Sequence, residues 1–368
     1  MSFVTTILTS ILGGFLTFSF FLADLIERYV PFAAPQTHPT QLAQHDDELA
    51  PLPSTYPGQV PSVLLDSLQF QQAAVTDTRT IPITYAQDPR EALVNIYCTY
   101  STERSIRTTT GTGFFINDNG VILTNAHVAQ FLLLETISDI GETNCIIRTG
   151  DPAQDRFRAE LLYLPPAWIQ AHASTIVADV AFGTGERDYA LLYVTESITR
   201  KPLPARFPAL PIHTAPLTRS TLNQPIVVAG YPATSGSLDE IRFSLRPRRA
   251  ETSVSNLYTF GSNLADLFSL RGSAVGEHGS SGGPALDRNG DVIGMITTRG
   301  DDTADGTGSL RAITISHIDR TIQEETGFDL LQSTRGDLPF RAHIFTTTLG
   351  SFLANILARE VRNWEASL

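Results

Sequence analysis

The chain predicts an all-β domain, barrel or sandwich, from about residue 90 onward, and three observations predict it. Short apolar runs rich in β-branched residues recur at 93–100, 113–116, 121–124, 145–148, 189–194, 225–229, 292–297 and 312–315. Asn119-Gly120 and Asn289-Gly290 stand between such runs, where a two-residue hairpin turn needs positive φ. Long helical patterns do not alternate with the runs, which argues against a parallel α/β sheet. The polar stretches 151–187 and 232–275 read as surface loops, and the strands divide into two halves of similar size.

Around this domain the sequence changes character. Residues 2–23 carry no charged side chain and as a helix would measure about 33 Å, enough for a bilayer core of about 30 Å. Asp24, Glu27 and Arg28 follow directly, with no basic n-region before the stretch and no small-residue cleavage site. Residues 1–30 are therefore expected to be an uncleaved transmembrane anchor rather than a signal peptide. Its orientation is weakly marked, because a single Arg flanks it. Residues 31–85 carry repeated prolines and read as a semi-extended spacer, with one short helix possible over 63–75. At 326–368, Leu349, Phe352, Leu353, Ile356, Leu357, Val361 and Trp364 fall on one face of a helix. The expectation is an amphipathic helical tail docked on its own domain or another subunit, with a membrane interface as the alternative.

Composition narrows the function classes. With 42% hydrophobic and 17% charged residues the chain can bury a core, so wholesale disorder is excluded. Lys and Arg total 26 against 38 Asp and Glu, a net charge of -12 that repels a phosphate backbone and argues against nucleic-acid binding. Cys98 and Cys145, the two cysteines, cannot build a zinc site; they are either one disulfide or two buried thiols. The acidic loop 301–308 lacks calcium-ligand spacing. No metal or cofactor is expected.

The residues that carry chemistry begin with Gly279-Ser280-Ser281-Gly282-Gly283-Pro284. A serine on a tight, glycine-flanked turn exposes its hydroxyl while neighbouring N–H groups converge where an oxyanion would form, so Ser281 is the candidate nucleophile. A hydroxyl needs a base within reach at neutral pH, and imidazole suits that task. His127, in Thr124-Asn125-Ala126-His127-Val128 at the end of a strand, is the candidate. His278 competes by proximity but more naturally lines the substrate cleft. A carboxylate must hold the imidazole. Asp188 precedes a strongly apolar strand and is favoured, with Asp179 as the alternative.

Taken together, Gly111-Thr112-Gly113-Phe114, Thr124–Val128, Asp188 through Leu192, Gly230-Tyr231-Pro232 and Gly279 through Pro284 resemble, in order and spacing, the chymotrypsin-fold serine proteases, and within them the HtrA-like (Deg) bacterial branch. The likeness runs from about residue 93 to 319. It implies two six-stranded antiparallel β-barrels over residues 86–325, with the triad His127, Asp188 and Ser281 at their interface. It also implies an oxyanion hole from the N–H groups of Gly279 and Ser281, and peptide-bond hydrolysis through an acyl-enzyme. By the same resemblance Val275 lies toward the base of the primary pocket and Thr297 and Thr298 along its wall. No carboxylate sits at the base, so a small or medium apolar side chain is the expected preference. Protein or peptide substrates are the implied partners, a homo-oligomer is left open, and the anchor implies an extracytoplasmic protease domain. Two departures stand out. Ser280 replaces the Asp that pairs with a new N-terminus in secreted digestive members, and too few residues follow Asp319 for a PDZ module. A protease-fold scaffold without turnover, or a conditionally active enzyme, is the competing reading.

Overall fold

The computed structural model describes residues 49–51, 85–102, 105–178, 185–233, 237–271, 278–299 and 310–367. The expected anchor (residues 1–30), nearly all of the spacer, Asp179 and Val275 lie outside these residues, as does the side chain of Thr298. Among the described residues no helix is long and apolar enough to cross a membrane.

Two antiparallel barrels form, as expected. The first closes in the order β2 (Leu93–Ser101), β3 (Ile106–Phe115), β4 (Val121–Thr124), β7 (Ala190–Ser197), β6 (Gln154–Tyr163) and β5 (Glu142–Thr149). Its strands bury aliphatic and aromatic side chains on both faces, including Leu93, Ile96, Phe114, Ile122, Leu123, Leu191 and Leu192. Each such side chain contributes roughly 1.5–3 kcal/mol by leaving water. Cys98 and Cys145 lie directly opposite one another on β2 and β5 and form a disulfide. Of the two alternatives left open by the sequence, the bridge is the one formed.

The second barrel contains β8 (Pro225–Gly230), β9 (Arg248–Thr259), β10 (Leu267–Leu270), β13 (Leu310–Thr314), β12 (Val292–Arg299) and β11 (Pro284–Leu286), closed by the pairing of β8 with β9. A short β1 (Ala50–Pro51) adds to β9 in parallel, so one piece of the expected spacer belongs to the folded body. Leu49 packs against this second core.

Two expectations need correction. The stretches 151–187 and 232–275 are not loops throughout. They contain β6, β9, β10 and a helix, α2 (Pro166–His172). In β9 only Val254, Leu257 and Thr259 of twelve residues are buried, so its apolar signal was too thin to read. The two Asn-Gly hairpins are not two-residue turns either. Asn117 Oδ1 accepts from the N–H groups of Asn119 (3.2 Å) and Val121 (3.0 Å). Asp287 Oδ1 does the same for Asn289 (2.8 Å) and Asp291 (3.0 Å). Both turns are thus longer loops gathered around one side chain, with only Gly120 (φ 89°) and Gly290 (φ 85°) in the left-handed region.

The tail is helical and docks on its own chain. After α3 (Ile315–Thr326) come α4 (Leu338–Phe345) and α5 (Ser351–Ser367), joined by a widened turn at Thr346–Gly350. Leu349, Leu353, Leu357 and Val361 are buried, and Phe352 and Ile356 pack against the same hydrophobic cluster. The Arg107 guanidinium lies 5.2 Å above the Trp364 ring. The apolar face read from the sequence is therefore covered by the protein itself.

Candidate active site

The strand β4 ends at Thr124, and α1 (Ala126–Leu134) starts immediately, bringing His127 to the first turn of a helix. Its N-cap residue, Asn125, makes no side-chain cap bond. Instead its amide donates to the Asp188 carbonyl (2.9 Å), and Asp188 Oδ1 accepts the His127 N–H (2.9 Å). The Asp188 carboxylate therefore caps α1, where the helix dipole favours negative charge. The backbone of the base and the side chain of the acid are locked together before any catalytic contact is counted.

The catalytic contact is present as well. His127 Nδ1 lies 2.8 Å from Asp188 Oδ2, which places the imidazole proton on Nδ1, since an ionised carboxylate only accepts. Thr297 Oγ1 donates to the same oxygen at 2.6 Å. Asp188 is 3% exposed. Burial alone would raise its pKa, but the His127 charge, the His127 ring, the Thr297 hydroxyl and the His127 N–H outweigh burial and hold the carboxyl below its ordinary value. Behind it, Arg187 adopts φ 57°, a left-handed conformation costly for a residue with a Cβ. Its guanidinium pairs with buried Glu325 of α3, which also receives the Tyr163 hydroxyl. Burial pushes the Glu325 carboxyl up against the pull of Arg187 and Tyr163.

Ser281 sits between the barrels. Its carbonyl accepts the N–H of Thr112 on β3 (2.8 Å), while Gly282 N–H donates to Ile296 of β12 (2.8 Å). A Cβ at Gly282 would lie 1.9 Å from the Thr112 carbonyl oxygen, and φ there is 88°, so only glycine fits. The carbonyls around the turn are all engaged. His278 O accepts from Ala233 N–H (2.7 Å), Gly279 O from the Thr112 hydroxyl (2.6 Å) and Ser280 O from Gly283 N–H (2.9 Å). Because a trans peptide opposes its C=O and N–H, the N–H groups of Gly279 and Ser281 face away from those anchors. The Ser281 hydroxyl donates to Thr297 O at 3.3 Å, and among the described residues no hydrogen bond joins it to the His127 ring. His278 is exposed, as a cleft-lining residue requires.

Sequence reasoning missed two roles. Thr297 was expected along the pocket wall, yet its hydroxyl is buried against Asp188. Asn125 stood in the quoted histidine motif without a function. Neither signal is visible without the fold, because each acts on a residue more than sixty positions away.

Comparison with known proteins bears on the family. The family model described as trypsin-like peptidase domain matches residues 111–295, half of the chain. Among solved structures, the active form of the Rv3671c protease from M. tuberculosis is 21% identical, with 68% of this chain and 93% of that chain covered and a TM-score of 0.37. Deg5 is 17% identical, with 72% and 96% covered and a TM-score of 0.42. No curated protein sequence matches. The family match spans the stretch that supplies the buried His127–Asp188 pair and the Ser281 turn, and on it this chain belongs to the trypsin-like peptidases, as a serine endopeptidase.

Proposed function

We propose that the chain cleaves internal peptide bonds of protein substrates through a covalent acyl-enzyme, with Ser281 as nucleophile, His127 as general base and Asp188 as the carboxylate that orients the ring. The observation that carries this reading is the 2.8 Å His127–Asp188 contact, which leaves Nε2 as the ring's acceptor nitrogen. Ser281 Oγ gives its proton to Nε2 as it attacks the carbonyl carbon. The N–H groups of Gly279 and Ser281 receive the oxyanion, and His127 then protonates the leaving amine. Water, deprotonated by the same ring, releases the acyl group. His278, Thr298 and Val275 line the substrate cleft in this reading, and the absence of a carboxylate among them favours a small or medium apolar residue before the scissile bond. Cleavage strictly after Lys or Arg in a peptide library would refute that preference.

One observation favours a second reading, a conditionally active enzyme: the Ser281 hydroxyl rests on Thr297 O rather than on the imidazole. Fluorophosphonate labelling of the wild type but not of Ser281→Ala supports the serine mechanism. Labelling that requires an added peptide or higher temperature supports the conditional form, and equal labelling of both proteins sinks either version.

The tether and compartment follow the same reading. The uncharged run at residues 3–23 supports an N-terminal membrane anchor in an HtrA-like enzyme. The Cys98–Cys145 disulfide supports an oxidising, extracytoplasmic location. Membrane fractionation with alkylation of exposed thiols tests both: a cytosolic pool with free thiols would refute them.

A further inference from the structure

The oxyanion turn of this chain lacks the restraint that an acidic residue beside the nucleophile can supply. Ser280 occupies that place, and its hydroxyl is buried without a hydrogen-bond partner. Gly279 at φ 89° and Gly282 at φ 88° adopt their conformations easily and leave them just as easily. Something outside the turn must hold it.

Thr112 contacts it twice. Fully buried on β3 of the first barrel, it donates its N–H to Ser281 O (2.8 Å) and its hydroxyl to Gly279 O (2.6 Å). The hydroxyl in turn accepts the N–H of Tyr231 (2.9 Å), in the turn after β8 of the second barrel. Because Tyr231 donates to the oxygen, the hydroxyl proton is left for Gly279 O. Thr124 Oγ1 closes on the Thr112 carbonyl (2.7 Å) and holds its backbone. One side chain therefore ties the oxyanion turn to both barrels, using its donor and an acceptor site.

We propose that Thr112 is a positioning residue for oxyanion stabilisation: its hydroxyl fixes the central peptide of the turn so that the N–H groups of Gly279 and Ser281 converge on the tetrahedral intermediate. This rests on the assignment of those two N–H groups above. Loss of the hydroxyl would free the Gly279 peptide to rotate, lowering transition-state stabilisation while leaving substrate contacts in place.

The test compares Thr112→Val, Thr112→Ser and Ser281→Ala in the full chain, reading fluorophosphonate labelling rate and fluorescein-casein hydrolysis. Thr112→Val should lower labelling rate and kcat about 10- to 100-fold with KM within about twofold, and Thr112→Ser should stay within about threefold of the wild type. Should the Val variant fail to fold, Thr112→Ala, which leaves room for a water, is read the same way. A folded Val or Ala variant with kcat and labelling within about twofold of the wild type overturns the inference. So does a Ser variant as impaired as Val, since packing rather than the hydroxyl would then be responsible. Undiminished labelling of Ser281→Ala would instead remove the assignment of the site itself.

Discussion

Among the described residues the molecule contains two His–Asp pairs in which the aspartate is buried, one with each barrel. In the first, His127 Nδ1 meets Asp188 Oδ2 at 2.8 Å; in the second, His317 Nδ1 meets Asp266 Oδ1 at 3.1 Å. Each aspartate also binds backbone N–H and hydroxyl donors. Asp188 has His127 N–H and Thr297, and Asp266 has Phe260 N–H, Thr259 and Ser262. In both cases burial opposes the charged carboxylate, and the neighbouring histidine and donors overcome it and lower the pKa. The chemistry of the pairs is alike, but their surroundings differ. The His127 side chain is 12% exposed, whereas that of His317 is 4% exposed, against the edge of the Phe260 ring, with Arg320 closing on Asp266. Its Nε2 has no partner. The two pairs thus differ in exposure and in what surrounds the ring, not in the contact that holds it.

That distinction can be broken at either pair. The largest effects should come from the first. Ser281→Ala should reduce turnover about 10⁶-fold and Asp188→Asn about 10⁴-fold, with circular dichroism and melting close to wild type for the serine variant. Comparable loss of turnover in a folded Asp266→Asn variant would erase the contrast. Next, Asp266→Ala should cost about 3 kcal/mol in urea unfolding, because His317 and Arg320 lose their buried anion, while fluorophosphonate labelling per folded molecule stays near wild type. A smaller effect should follow Thr297→Val, which removes one of the donors to Asp188. It should lower kcat about 10-fold without changing the labelling stoichiometry. An unchanged kcat would show that the helix cap and His127 suffice.

The mildest test is pH. Both aspartates titrate below their unfolded value of about 4, so the folded state binds fewer protons than the unfolded one near that pH. The stability they supply is complete above it and drains as pH falls through the lower folded values. Unfolding free energy should decline below about pH 4, and Asp266→Asn should flatten the decline. A decline of equal slope in that variant would mean that other carboxylates dominate.

The barrels differ in legibility as well as in chemistry. β2, β4 and β7 were readable because the first barrel buries long runs such as Ala190, Leu191 and Leu192. β9 was not, because its mostly exposed or half-buried side chains resemble a loop. The hairpins were placed correctly but given the wrong turn, since Asn-Gly marks a reversal without saying which upstream side chain gathers it. Thr297 and Thr112 were quoted in motifs, yet their hydroxyls act across 109 and 167 positions of chain.

From the order of residues alone came the β class, the candidate histidine, aspartate and serine, and the helical tail with its apolar face. These are local: alternation, glycine at a tight turn and helical spacing are all short-range physics. The tertiary structure decided the rest. It determined which of two His–Asp pairs keeps its histidine partly exposed, that the cysteines are bridged, that the tail covers the first barrel and that Thr112 joins the barrels at the Ser281 turn. Each depends on contacts between segments far apart in the chain, whose meeting is set by barrel closure and the burial it permits.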